Sequence, residues 1–449
     1  MNIVIAGDGE VGLHLAQELS ALENQNITIV DPHEDLIKQV ESHTDLMAIT
    51  GDSTSVSVLE NANVKKADLL ISVLHDERTN LVTAALGKQL GAKKTIARIN
   101  NLEYLRPENV ARFKNMGIDA LVCPEDIVSQ EITNLLSQTA ATEIFDFSKG
   151  KLFLFLIKLE QNAPVVNKSL NDIVAMFPHL DFRAVAIHRN SETIIPKGDD
   201  RFLVNDLSYV VTKPGGINDL LKLGGKQKID IRNVMIVGGG RVGRTTAKKL
   251  ENRLHIKLFE IDRNKSMQLA NQLEHTLVIH GDARDIQLME DEDIRGMDAF
   301  IAVTDSSETN ILACLHARKF GVKRTIALVE NIDYIDISQN IGIDTIINKK
   351  LSTASYIVKY TMHAEVTSIK CLSGINAEVM ELVADPHSAV TKKPIKDLSL
   401  PKGAIIGGII RGNESYIAVG DFQIEEGDKV VVFSLPESIH KVDKLFNNK

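Results

Sequence analysis

The chain has no tryptophan, and its aromatic content is only 4%. Surfaces that stack nucleic-acid bases interleave aromatic and basic side chains, and no such stretch occurs here. A formal net charge of −9 further disfavours nonspecific binding to nucleic acid and does not favour an anionic membrane surface. Cysteine is scarce: Cys123, Cys314 and Cys371 are scattered and form no C-x-x-C pair, which suits a reducing compartment and buried or incidental thiols. Long hydrophobic runs are missing. The most apolar stretch, Leu152–Leu159, is too short to span a bilayer and is interrupted by Lys158. No leader pattern precedes the first apolar strand, so the expected location is the cytoplasm. There is no G-x-x-x-x-G-K-[ST] loop, which argues against energy-coupled ATP hydrolysis. No Ser-His-Asp, H-E-x-x-H or clustered His/Cys pattern stands out among the 13 histidines, so no catalytic or metal-ligating residue is assigned. What remains is an ordinary globular composition, 44% hydrophobic and 25% charged over 449 residues, long enough for about three to four domains.

The stretch Met1–Asp31 organises the rest. An apolar run, Ile3–Ala6, fits a buried strand. Gly7, Gly9 and Gly12 follow at G-x-G-x-x-G spacing, then a helical pattern, then a second apolar run ending at Asp31. Glycine serves three needs there: a sharp bend, close approach of backbone to a pyrophosphate, and tight packing of helix on strand. The helix N-terminus aims unpaired N–H groups at the anion. Asp31 stands where an acid accepts hydrogen bonds from ribose hydroxyls.

The same pattern recurs. Gly238, Gly240 and Gly243 lead to Asp262 with the separation that links Gly12 to Asp31. Gly51-Asp52 reappears as Gly281-Asp282, and the segment from Glu77 is answered by the segment from Glu308. Self-similarity on this scale indicates duplication. Residues 1–123 and 230–348 alternate strand and helix, predicting two doubly wound, Rossmann-like parallel sheets of α/β class with ligands at the carboxyl ends of the strands. Residues 124–143 and 349–367 read as linking helices. Residues 144–225 and 368–449 read as a small α+β domain written twice, so the domains are 1–123, 124–225, 230–348 and 349–449. Gly215-Gly216 and Gly224-Gly225 read as a linker into the second half.

Several residues fall at the predicted strand ends. Asp52 is either a ligand contact or the cap of the next helix. Val73 and Leu74 are core, or line a nucleotide with their backbone. Arg98 either neutralises a phosphate or makes a surface ion pair. The two glycine loops also differ: the first carries Asp8 and Glu10, the second Arg241 and Arg244. Acids near the phosphates disfavour a third phosphate and arginines favour one, although the arginines also read as solvated helix charges. This predicts a dinucleotide in the first half and a dinucleotide or nucleoside triphosphate in the second. Asp31 and Asp262 argue for NAD over NADP. In the small domains Arg189 matches Arg411, as an anion ligand or, preferably, a turn residue, whereas His188 aligns with Ile410, so no histidine catalyst repeats.

Doubled in one chain, GDGEVG with Asp31, Gly51-Asp52 and Arg98, and GGGRVG with Asp262 and Gly281-Asp282, resemble the tandem RCK (KTN) and RCK-C domains of the TrkA-type subunits of Trk potassium-uptake systems. The resemblance covers essentially the whole chain. It implies a non-enzymatic regulatory subunit, peripheral on the inner face of the cell membrane. Such a subunit assembles into a ring, expected to be a homotetramer, under a potassium-translocating TrkH/TrkG-type partner. It responds to NAD (NAD+ or NADH), with ATP or ADP as further ligands. The expected nucleotide-binding positions are Gly7, Asp8, Gly9, Glu10, Val11, Gly12, Asp31, Asp52, Val73, Leu74 and Arg98 in the first half. In the second they are Gly238, Gly239, Gly240, Arg241, Val242, Gly243, Asp262, Asp282, Thr304, Asp305 and Glu330. Leu328 stands where symmetry expects a second Arg98. The rival readings are an NAD-dependent oxidoreductase with duplicated domains and a nucleotide-independent scaffold.

Overall fold

Short aliphatic runs become the strands of two parallel sheets. In the first, β1 (Asn2–Ala6), β2 (Asn26–Asp31), β3 (Met47–Thr50), β4 (Leu69–Ser72), β5 (Lys94–Arg98) and β6 (Ala120–Val122) lie in the order β3-β2-β1-β4-β5-β6. In the second, β12 (Asn233–Val237), β13 (His255–Glu260), β14 (Thr276–His280), β15 (Ala299–Ala302), β16 (Arg324–Leu328) and β17 (Thr345–Ile347) repeat that order as β14-β13-β12-β15-β16-β17. Both are Rossmann-like, and the strand order reverses beside β1 and β12, which opens a crevice at their carboxyl ends. The computed structural model describes residues 1–7, 9–20, 25–34, 46–137, 143–178, 181–189, 192–225, 231–361, 366–372 and 377–447.

The chain divides into two compact units, Met1–Ile127 with Lys350–Met362, and Val128–Lys349 with His363–Lys449. By packing, then, the linking helices do not follow chain order. The first, Pro124–Ser137, presents Val128, Ile132, Leu135 and Leu136 at helical spacing, and these enter the core of the second parallel sheet beside Val234, Leu250 and Ile256. Residues of the second linking helix, Lys349–Val358, group with the first parallel sheet.

Each small domain is a five-stranded antiparallel sheet. The first is β10-β9-β11-β8-β7, built from β7 (Glu143–Phe147), β8 (Leu152–Lys158), β9 (Phe182–Arg189), β10 (Glu192–Ile194) and β11 (Leu207–Thr212). The second is β18-β19-β22-β20-β21, from β18 (Val366–Cys371), β19 (Glu378–Val383), β20 (Ala404–Arg411), β21 (Glu414–Ile417) and β22 (Lys429–Ser434), the same arrangement. Both carry a register shift in the equivalent strand pair, at Tyr209/Val210 and at Ile406/Gly408. The two sheets share one core, in which Leu152, Val185 and Val211 meet Val379, Ile405 and Phe433. Gly407 and Gly408 permit this: a Cβ on Gly407 would stand 2.7 Å from Val211, and one on Gly408 2.6 Å from Leu152. The run Leu152–Leu159 is apolar because β8 is buried between this core and a second one under the helix Leu170–Met176.

Two expectations need correction. The glycine-flanked stretch read as a linker holds the helix Ile217–Leu223, whose Leu220, Leu221 and Leu223 are buried in the first small domain. The linking helices are also shorter than read. Strands β7 and β18 begin inside or directly after the segments assigned to them, because the helical period of 124–137 does not continue into the alternating run at 143–147.

Candidate functional site

In the first half, β1 ends at Gly7, which adopts a left-handed φ of 113°. A Cβ there would lie 3.0 Å from the backbone of Val73 and Leu74, and a Cβ on Gly12 only 1.8 Å from the Gly7 carbonyl. The loop therefore closes only with glycine at both places. Gly9 has room for a Cβ, 3.7 Å from His75 Nε2. The helix Glu10–Ser20 starts immediately after, with Val11 buried beneath it. Asp8 lies outside the described residues.

Backbone hydrogen bonds gather the other strand ends around this turn. Gly7 N–H donates to Val30 at 2.9 Å, and Gly51 N–H to the Asp31 carbonyl at 2.8 Å. The Asp31 carboxylate, buried at the end of β2, accepts from His33 N–H at 2.9 Å and meets His33 Nδ1 at 2.7 Å. Asp52 is exposed and folds into its own loop, accepting from the Thr54 N–H and hydroxyl at 2.8 and 2.7 Å. Those two donors, the backbone one first, hold its carboxyl below the usual aspartate range. Val73 is core; Leu74 contributes its backbone beside Gly7.

Sequence reasoning missed the residue that ties these ends together. Asn80, 1% exposed, accepts from Ser72 Oγ and Leu74 N–H and donates to the Leu74 and Arg98 carbonyls, all within 3.0 Å. Asn310 does the same in the second half, bonding Thr304 and the Leu328 carbonyl at 2.7–3.0 Å. The signal was present as the Thr-Asn pair repeated at Thr79-Asn80 and Thr309-Asn310. Arg98 extends from β5 with a buried Nε that has no hydrogen-bond partner among the described residues. Among the described residues Arg98 makes no ion pair, and a buried guanidinium N–H left unsatisfied is costly.

The second half repeats the cradle. Gly238 has φ 101°, and a Cβ on it would stand 2.8 Å from Thr304 N. One on Gly243 would be 1.9 Å from the Gly238 carbonyl. Gly240 is the N-cap of the helix Arg241–Leu250 and offers no side-chain cap hydrogen bond. Gly239 N–H donates to Glu260 Oε2 at 3.1 Å. Gly238, Gly240, Asp282, Thr304 and Asp305 line a cleft of about 370 Å³, together with Glu260, Lys265 and Arg284. Val242 is buried under the loop.

Four expected residues fall elsewhere. Asp262 is not the counterpart of Asp31. Pairing β1 Asn2 with Asn26 and β12 Asn233 with His255 puts Glu260 at the strand end, because the chain from β12 to β13 is two residues shorter than that from β1 to β2. Asp262 instead caps the next helix, accepting from Lys265 N–H at 2.7 Å. Glu260 is buried, accepts from Asp262 N–H at 3.0 Å and pairs with Lys265 at 2.8 Å. The apolar run Ile256–Phe259 ending at Glu260 carried that signal; equal spacing from the glycines misled. Arg241 and Arg244 do not line the cleft; Arg244 reaches Gln272 at 3.4 Å. Glu330 also lies outside the cleft lining, paired with Lys349 at 2.7 Å. Leu328 is buried in the core of the sheet. In the small domains, Arg189 and Arg411 are structural. Each makes a two-pronged pair at 2.7–2.9 Å with a buried aspartate, Asp206 or Asp428, that braces the adjoining turn.

Compared with known proteins, residues 3–124 and 234–349 match the TrkA-N domain, and residues 154–224 and 379–447 match the TrkA-C domain. The chain belongs to the TrkA family. It is 32% identical over 456 residues to the "Trk system potassium uptake protein TrkA homolog 1" of Methanosarcina mazei, covering 99% of this chain and 100% of that protein. It is 33% identical to the TrkA of Vibrio alginolyticus, covering 99% and 98%. By these names the TrkA family is one of potassium-uptake proteins, not of enzymes. The fold is shared with the GsuK RCK domain (TM-score 0.61, 16% identity, 99% of this chain and 94% of that one) and with the GsuK channel bound to NAD (TM-score 0.61, 17% identity, 99% and 78%). Among the described residues of this TrkA-family chain, no helix is long and apolar enough to cross a membrane.

Proposed function

We propose that this chain is the nucleotide-sensing regulatory subunit of a potassium-uptake system. It sits on the cytoplasmic face of a TrkH/TrkG-type translocating partner and assembles into a homotetrameric ring. Each half holds an adenine nucleotide in its glycine cradle, NAD(H) in the first and NAD or ATP/ADP in the second. The observation that carries this reading is the pair of cradles. In both, a Cβ on the third glycine would overlap the carbonyl of the first, at 1.8 and 1.9 Å, so the helix start is held tight against the loop, while the middle glycines, Gly9 and Gly240, leave room for a ligand to approach. The residues present fit a dinucleotide. Gly7–Gly12 with the following helix N-terminus and Arg98 Nε would hold its diphosphate, and the Asp31 carboxylate its ribose. Such a ligand contributes binding free energy and charge, and no bond is made or broken. It shifts the conformation of the ring only through unequal affinity for its states. Titration of the purified chain with NADH, ADP and ATP, followed by calorimetry and small-angle scattering, tests this. Saturable binding with a change in scattering profile is expected; no binding of any of the three overturns the reading.

A further inference from the structure

The first small domain contains a cavity whose counterpart in the second is filled by side chains. In its core, residues of the sheet meet Ile173 of the helix Leu170–Met176 and Leu220 and Leu223 of the helix Ile217–Leu223. Within that core lies a cavity of about 30 Å³, walled by Ile157, Ile173, Phe182, Phe202, Val210 and Leu220 among others. No charged side chain lines it, and its one hydroxyl is that of Ser208 on β11. Ser208 is 2% exposed, and its Oγ has no hydrogen-bond partner among the described residues. A buried hydroxyl left in that state is costly. Water is a poor remedy, because a buried water needs two to four polar partners and this wall offers one hydroxyl. The second small domain shows the alternative. Arg189 and Asp206 match Arg411 and Asp428 at one constant spacing, which sets Ser208 against Val430 and Gly224 against Phe446. Val430 and Phe446 are both fully buried. An apolar side chain thus replaces the hydroxyl, and a phenyl ring stands where the first domain has no side chain. Ile157 leans part-way into the place of that ring, its Cγ2 2.5 Å from where a Cβ on Gly224 would be, and lines the cavity beside it. Bulk moves the other way at Phe182, which pairs with Thr212 as Ala404 pairs with Ser434. Phe182 is only partly buried, so the first domain keeps its ring towards solvent and its space inside.

We propose that this cavity binds a small uncharged molecule with a short alkyl body and one hydrogen-bonding group, of the class of the short-chain alcohols. The size follows from the space: a water occupies about 10–15 Å³ on this measure, so the cavity holds two or three atoms' breadth of chain and no aromatic ring. The chemistry follows from the wall. The alkyl part packs among Ile157, Phe182 and Val210, and the ligand's hydroxyl exchanges a hydrogen bond with Ser208 Oγ. A carboxylate or phosphate is rejected, because the wall offers no charge to balance it. A bound alcohol gives the first small domain the packing that Phe446 gives the second, and so stabilises it. The inference stands apart from the nucleotide reading of the glycine cradles.

The test uses the full chain and two probes of equal carbon number, propan-1-ol and propionate, followed by saturation-transfer NMR. Wild type should bind propan-1-ol saturably, with a dissociation constant in the millimolar range expected of so small a ligand. Ser208→Ala keeps the room and loses the hydroxyl, and should weaken that binding about fivefold, the worth of one hydrogen bond. Ser208→Val copies Val430 and fills the space, and should abolish it. Propionate should give the same response in wild type and in both variants. Ser208→Ala removes only an unpartnered hydroxyl, so it keeps the test decisive should the bulkier valine disturb the fold; melting temperatures check this. Saturable propan-1-ol binding that is unchanged in Ser208→Ala overturns the role of the hydroxyl and with it the site. Absence of saturable binding in wild type overturns the proposal outright. A propionate response that depends on Ser208 as strongly as that of propan-1-ol overturns the ligand class.

Discussion

The two glycine cradles share a backbone and differ in their side chains. Gly7 and Gly238 have nearly the same left-handed φ, 113° and 101°, and the same overlap forbids a side chain on Gly12 and Gly243. Asn80 and Asn310 pin the same strand ends by the same bonds. Where the halves part is in charge. The first offers Arg98 with an unsatisfied buried N–H, and the second has buried Leu328 there. The second offers Lys265 and Arg284, each already matched to a carboxylate. Duplication has kept the backbone of the glycine turn and changed the charged side chains around it.

The comparison can be broken most severely at the shared glycines. Gly243→Val should abolish nucleotide binding in the second half and spare the first, and Gly12→Val should do the reverse; two-site calorimetry reads both. Next come the asparagines. Asn80→Ala and Asn310→Ala each strip partners from buried backbone groups and should cost about 2–4 kcal/mol of stability, measured by urea denaturation. Equal losses would confirm equivalent pins, and a loss in one half alone would show that the duplicates have diverged. Arg98→Leu, which imitates the second half, should weaken NADH binding at the first site about tenfold, the worth of one charged hydrogen bond. The smallest effect concerns pH. The Arg284 guanidinium beside Asp282 holds its carboxyl below the usual aspartate range. The stability this contributes is therefore present above that range and lost as pH falls through the depressed value. In Arg284→Ala the carboxyl should titrate closer to an ordinary aspartate, as carboxyl-carbon NMR would show.

The parallel sheets were legible because their signals are local: glycine turns, apolar runs and helical periods, each stated twice. Asp31 was read correctly as a strand end because the run Ile27–Val30 stops beside it. Its partner was misassigned because distance from a glycine is a weaker guide than the end of a strand. The chain between the two strands is two residues shorter in the second half, and Glu260 then takes the place expected of Asp262. Arg241 and Arg244 read both as phosphate ligands and as solvated helix charges, because whether a helical arginine meets a cleft depends on which way it leaves the helix. The helix Ile217–Leu223 was hidden by glycines at both ends, which here cap an element and do not mark a flexible joint.

The path of the helix Pro124–Ser137 has a consequence for how the molecule can be made and cut. Its four apolar side chains are buried in one core with residues of 231–347. The last strand of that sheet ends at Ile347, so a ribosome releases this helix roughly two hundred residues before the sheet is complete. Until then the nascent chain carries an unmet greasy stripe worth about 1.5–3 kcal/mol per side chain, a natural target for a chaperone. For the same reason a fragment ended at residue 225 would keep that stripe bare, so each half is best interrogated by point substitution in the intact polypeptide.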